Sequence, residues 1–154
     1  MKFSGIGKRI VMTVALALVL VGCDVETSGN GDFDGFWHLE RIDTLATGGV
    51  LDLSGQRLFW GVQYRLINMK DYDTPSANYY LRFSLKGKEL QLSEPYHNYW
   101  HEDEDRGGDR PLTDTTLLRP FGINGLDSPF EVETLKGGSM QLKSETLRLR
   151  FRKF

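Results

Sequence analysis

Two of the three histidines, His97 and His101, fall within nine residues that also hold Glu102, Asp103, Glu104 and Asp105. Imidazole and carboxylate are the ligand types that zinc and calcium take, so this stretch is the candidate metal segment. A calcium loop of the EF-hand kind needs alternating acids followed by a glycine, and Arg106 stands where that glycine falls if His101 opens the loop. His97 and His101 are four apart and would share a helix face, yet Gly107, Gly108 and Pro111 make the surroundings an irregular loop. The segment reads as a solvated loop, and no metal or cofactor is expected.

Paired carboxylates are the second candidate chemistry, because glycoside hydrolysis needs one acid with a raised pKa facing another. Glu40, Glu131 and Glu133 fall on the water-facing register of their segments, which places no acidic pair in an apolar interior. A Gly-x-Ser-x-Gly nucleophile motif and a phosphate-cradling glycine loop are both missing from the sequence. His38 neighbours Trp37 and is expected to point outward as a surface side chain. These residues predict a protein that is not an enzyme. The aromatic residues offer a different chemistry, a lining for an apolar or amphipathic ligand. Its expected members are Trp37, Leu39, Trp60, Tyr64, Tyr79, Phe83, Phe130 and Leu149.

Cys23 is the only cysteine, so no intrachain disulfide can form, and its setting defines what its sulfur does. Lys2, Lys8 and Arg9 precede an apolar run from Ile10 to Val21, which is too short for a span of roughly 20 residues. This is an export signal. Leu20-Val21-Gly22-Cys23 resembles the lipobox of bacterial lipoproteins. That resemblance implies cleavage before Cys23 and acylation of its thiol, and more than one acyl chain gives a stable anchor. Residues 1–22 are then the signal peptide. Residues 23–34 form a lipidated tether, with Ser28, Gly29, Asn30 and Gly31 supplying linker composition. Without the leader the chain keeps 16 basic against 21 acidic residues, a mildly acidic balance that argues against nucleic acid as a partner.

Residues 35–154 must then form the working domain, and their apolar residues recur mainly at period two. Trp37 and Leu39 are inward in the first segment. Leu58, Trp60, Val62, Tyr64 and Leu66 are the inward set of a segment from Leu58 to Asn68. Tyr79, Leu81, Phe83 and Leu85 alternate with polar partners, and Lys86-Gly87-Lys88 turns the chain into Leu90 and Leu92. Phe130 and Val132, then Met140 and Leu142, then Leu147, Leu149 and Phe151 mark a three-strand meander. Arg148, Arg150 and Arg152 line its outer face opposite glutamates. A further short strand near Thr115 to Leu118 brings the number to about eight. Burying one face of each strand while removing exposed edges predicts an all-β, antiparallel up-and-down barrel, with a β-sandwich as the alternative.

Gly35-Phe36-Trp37 matches the Gly-x-Trp signature of lipocalins, and Phe33 to Phe154 resembles the lipocalin-like domains of small bacterial lipoproteins. The resemblance implies that Trp37 closes one barrel end and stacks with an arginine of a late strand. Arg148, Arg150 and Arg152 are the candidates, and Gly35, Trp37 and Arg150 make up the expected barrel-end motif. It also implies noncatalytic binding of a small apolar or amphipathic ligand inside the barrel. The alternative is a protein-interaction or assembly module with a side-chain-filled interior. The expected location is the bacterial cell envelope, as an outer-membrane lipoprotein held to the membrane by Cys23, with a small ligand or an envelope protein as partner.

Overall fold

The computed structural model describes residues 28–99 and 109–154. The leader, Cys23 and the segment His101 to Asp105 lie outside the described residues. Ten strands follow in chain order. They are β1 (Gly35–Thr44), β2 (Gly49–Asp52), β3 (Leu58–Gln63), β4 (Leu66–Asp71) and β5 (Asn78–Lys86). After these come β6 (Glu89–His97), β7 (Arg110–Pro111), β8 (Ser128–Lys136), β9 (Ser139–Lys143) and β10 (Leu147–Lys153).

Eight of them close into an antiparallel barrel in the order β1-β3-β4-β5-β6-β8-β9-β10, and β10 pairs back onto β1 from Trp37–Lys153 to Thr44–Leu147. The expected barrel is therefore present, and the sandwich is not. β2 lies against the second half of β1, while β7 pairs with the end of β6. Closure needs curvature, and register shifts supply it between Leu39 and Arg41 in β1, Tyr80 and Arg82 along β5–β6, and Val132 and Thr134 in β8. The β6 shift places Glu94 at φ 49, a left-handed conformation for a residue with a side chain.

Two local expectations need correction. Leu58 to Asn68 is two strands rather than one, joined by a two-residue turn after Gln63, which pairs with Leu66. Tyr64 takes φ 55 in that turn, where no glycine or asparagine announces it. The turn reverses the inward parity, so Leu58, Trp60 and Val62 on β3 are answered by Ile67 and Met69 on β4. Thr115 to Leu118 is not a strand but part of a 3₁₀ helix, Thr115–Phe121. Asp114 starts it by accepting from the Thr116 backbone N–H at 2.9 Å, and Gly122 ends it at φ 82.

That helix closes one end of the barrel. Leu118 and Phe121 are fully buried, and the Phe121 ring meets Tyr79 edge-on at 6.0 Å. The opposite end is closed by Gly31–Phe33, a 3₁₀ turn whose Phe33 is fully buried and meets Phe83 edge-on at 5.1 Å. Folded structure thus begins earlier than the expected boundary at residue 35. Asn30 is fastened by its side chain to Asp34 Oδ1 at 2.7 Å and to the Tyr64 carbonyl at 2.6 Å. The ten described strands and both end plugs lie between residues 28 and 154, so a chain of residues 24–154 carries the core they build.

Candidate binding site

Seven of the eight expected lining residues point inward. Trp37, Leu39, Trp60, Tyr79, Phe83, Phe130 and Leu149 have relative exposures between 0 and 5%, and all belong to one contiguous core. They pack on one another instead of bordering an open space. Trp60 meets Phe151 at 4.8 Å and Phe130 at 6.4 Å between ring centroids. An eight-stranded ring is just wide enough for its own side chains, and large aromatics on adjacent strands consume that width. Trp60 Nε1 is buried there without a hydrogen-bond partner. Tyr64 is the exception among the eight: it sits in the β3–β4 turn and is 48% exposed.

At the Phe33 end, Trp37 Nε1 donates to the Phe33 carbonyl at 2.9 Å. The cation on its ring is Lys153, whose Nζ lies 5.0 Å from the ring centroid and also donates to the Asp32 carbonyl at 3.1 Å. Arg150 does not take that place. Alternation along β10 sends Leu149 and Phe151 inward and Arg148, Arg150 and Arg152 outward, and Lys153 stands directly opposite Trp37 in register. Gly35 fits the motif for a steric reason, since it adopts φ 127 and a Cβ there would lie 2.6 Å from Lys153 Cε.

The arginine stripe is fully engaged on the outer wall. Arg150 donates to Asp43 at 3.2 Å, Arg152 to Glu40 at 2.6 Å, and Arg148 grips Glu133 through Nε at 2.7 Å and Nη2 at 2.9 Å. Hydrogen bonding from Arg148, aided by Gln141, holds the Glu133 carboxyl below its ordinary value against the opposing effect of burial. Burial pushes Asp43 upward, but hydrogen bonds from Arg41 and Arg150 outweigh it and leave the carboxyl lowered. These acids are set up as ion-pair partners, whereas a general acid needs a raised pKa. His38 points outward as expected, yet it is only 6% exposed. It stacks on Phe59 at 4.9 Å, and its Nε2 lies 2.7 Å from the Gln56 carbonyl. His97 stacks on Tyr99 at 5.2 Å. Among the described residues no three His, Cys, Asp or Glu side chains gather as metal ligands do.

The open concavity is outside the barrel. Phe36, Gly61, Asn68 and Tyr80 stand side by side on the outer wall of four adjacent strands, and the missing side chain at Gly61 leaves a trough between them. This groove measures about 1130 Å³ and is bordered by Ser28, Tyr64 and Leu66 at the Phe33 end. A second depression of about 510 Å³ adjoins it at Leu66 and Tyr80 and is flanked by the Arg82–Glu94 pair, 2.9 Å apart. The groove floor is polar at one point, where Asn68 Nδ2 donates to Asn78 Oδ1 at 2.6 Å. Beside it, Phe36 stacks on Phe59 at 4.5 Å, and Tyr72 and Phe154 meet Phe59 edge-on. None of these wall residues is legible from inward alternation. Their signal is a glycine in mid-strand and aromatics on the register assigned to water.

The chain belongs to the lipocalin-like domain family, whose profile matches residues 18–154. No curated protein matches it. Among solved structures it is similar to a lipocalin-like protein from Bacteroides uniformis, at 23% identity and a TM-score of 0.59, covering 80% of this chain and 100% of that one. An uncharacterized protein from Bacteroides eggerthii is similar at 20% identity and a TM-score of 0.55, covering 79% and 98% of the two chains. At these identities the likeness establishes the fold. A lipocalin-like barrel is a frame for noncatalytic binding.

Proposed function

We propose that this protein is an outer-membrane lipoprotein of the cell envelope, acylated on Cys23, whose barrel is a noncatalytic binding module working through its outer wall. The observation that carries the reading is the packed interior. Seven residues expected to surround a ligand are no more than 5% exposed, and Phe33 and Phe121 plug the two ends. Binding inside would require displacing aromatic contacts and opening a plug, whereas the Phe36–Tyr80 groove is already open. The anchor is supported by the basic start, the apolar run and Leu20-Val21-Gly22-Cys23. The partner favoured here is an envelope protein, because the wall offers aromatic area and a polar floor together. A small amphipathic molecule is the second reading, supported by the groove along Phe36, Asn68 and Tyr80.

Trp37 and Trp60 report on the interior directly. Titrating residues 24–154 with a fluorescent long-chain fatty acid should give either no saturable energy transfer from these indoles or transfer that is abolished by removing the groove aromatics in a Phe36→Ala, Tyr80→Ala variant. Saturable one-to-one transfer that a Phe36→Ala, Tyr80→Ala variant leaves unchanged would overturn the outer-wall reading and restore an internal ligand.

A further inference from the structure

Charge is distributed unevenly between the two ends of the barrel. Antiparallel pairing gathers the β3–β4, β5–β6 and β8–β9 turns at the end where β1 begins and β10 finishes. Those turns carry Arg65, Lys86, Lys88 and Lys136, and Lys153 adds a fifth cation. The acids at that end are Asp32, Asp34, Glu89 and Glu131; Asp34 is already bound by Asn30 and lies beside Lys153, and Glu131 pairs in register with Glu89 and borders the same depression as Lys86 and Lys88. Among the described residues, none of Arg65, Lys86, Lys88 and Lys136 makes an ion pair within 4.0 Å. The opposite end displays Asp71, Asp73, Asp109, Asp114, Asp127 and Glu145 against Arg57, Lys70, Arg110, Arg119 and Lys143, and Arg57 is taken by Asp73 at 2.7 Å.

The basic end is also where the chain leaves for Cys23. Ser28 borders the groove beside Tyr64, and five residue steps separate it from Cys23. At roughly 3.3–3.6 Å per residue that is at most about 18 Å. Surface potentials decay over about 8 Å at physiological salt, and the tether is short enough to let these turns come within that distance of a membrane that holds the lipid. Exposed apolar side chains occur at both ends, with Tyr64, Leu66 and Phe154 here and Val50, Leu51 and Leu126 opposite. Apolar exposure and cation number therefore do not orient the barrel by themselves; the tether does, and it puts the turns of Arg65, Lys86, Lys88 and Lys136 on the bilayer side.

We infer that the barrel sits end-on, with Arg65, Lys86, Lys88 and Lys136 on the anionic phospholipid headgroups of the membrane that holds it and Tyr64 and Leu66 at the headgroup boundary. This rests on the Cys23 anchor proposed above. The acidic end, with the Asp109 side of the 510 Å³ depression, then faces away from the bilayer. Residues 24–154, lacking the lipid, test the docking independently of the anchor. In low salt they should co-sediment with vesicles of phosphatidylcholine containing one third phosphatidylglycerol at least tenfold more than with phosphatidylcholine alone, and high salt should abolish the difference. Lys88→Glu should cut that binding about tenfold, and Arg119→Glu, the same charge change at the far end, should leave it unchanged. Equal binding to both vesicles, or equal loss in the two variants, would overturn the end-on placement. The mass of the N-terminal peptide of the envelope-derived protein reports separately on acylation, and an unmodified Cys23 would overturn the anchor.

Discussion

Replacing Gly122 by alanine should destabilise the barrel far more than a turn glycine usually does. Gly122 ends the 3₁₀ plug at φ 82, and a Cβ there would overlap Leu149 Cδ2 and lie 2.8 Å from Cδ1. A left-handed conformation costs a side-chain-bearing residue about 1–2 kcal/mol. Leu149 is fully buried and has no open space to move into, so the overlap adds about 1–3 kcal/mol of overpacking. The sum is about 2–5 kcal/mol. For a domain of this size that corresponds to a fall in Tm of roughly 8–20 °C. Gly87, at φ 60 with nothing within 4 Å of its would-be Cβ, isolates the backbone part. Gly87→Ala should cost only about 1–2 kcal/mol. Urea and thermal unfolding followed by circular dichroism compare the two. Leu149→Ala in the Gly122→Ala background should cost less than in the parent, because the overlap is already relieved. Equal stability of Gly122→Ala and Gly87→Ala, or strict additivity with Leu149→Ala, would refute the packing of the plug on β10.

Phe33→Ala should cost about 3–5 kcal/mol in urea unfolding, since Phe33 is fully buried against Phe83, whereas a residue in a free tether would cost nothing. Lys153→Ala should shift the Trp37 emission and cost about 0.5–1 kcal/mol, while Arg150→Ala leaves the emission unchanged. Asp34, Asp43 and Glu133 have carboxyl pKa values held below their ordinary 3.8–4.5 in the folded protein. Their contribution to stability is therefore complete above those ordinary values and lost as pH falls through the lowered ones. Unfolding midpoints should be flat above pH 5 and drop below about pH 4, and Glu133→Gln should flatten part of that drop.

Period-two alternation made β5 and the β8–β10 meander visible, because β5, β9 and β10 each bury one face and wet the other, and β8 does so up to its register shift after Val132. The β3–β4 turn was hidden because Gln63, Tyr64, Arg65 and Leu66 carry no turn chemistry and the apolar alternation runs straight through it. The 3₁₀ plug was hidden for a related reason: Thr115 and Thr116 favour strands locally, and the cap by Asp114 and the demand for a lid decide otherwise. Lys153 was legible but overlooked, since it shares the inward parity of Leu149 and Phe151 while the arginines share the outward one. Whether the barrel is hollow depends on how ring sizes fill a fixed circumference, which alternation does not encode. The outer groove arises from registering Phe36, Gly61, Asn68 and Tyr80 across four strands, and register follows from turns and bulges that the pattern does not display.

Native mass spectrometry of the protein purified from its own envelope, released gently from membranes, asks most directly whether the interior is occupied by side chains alone. The packed core of Trp37, Trp60, Phe130 and Phe151, plugged by Phe33 and Phe121, predicts one mass for the folded protein that equals the denatured, covalently modified chain. A stoichiometric extra mass that survives in the folded state, disappears on denaturation and is lost when Trp60 is replaced would contradict it.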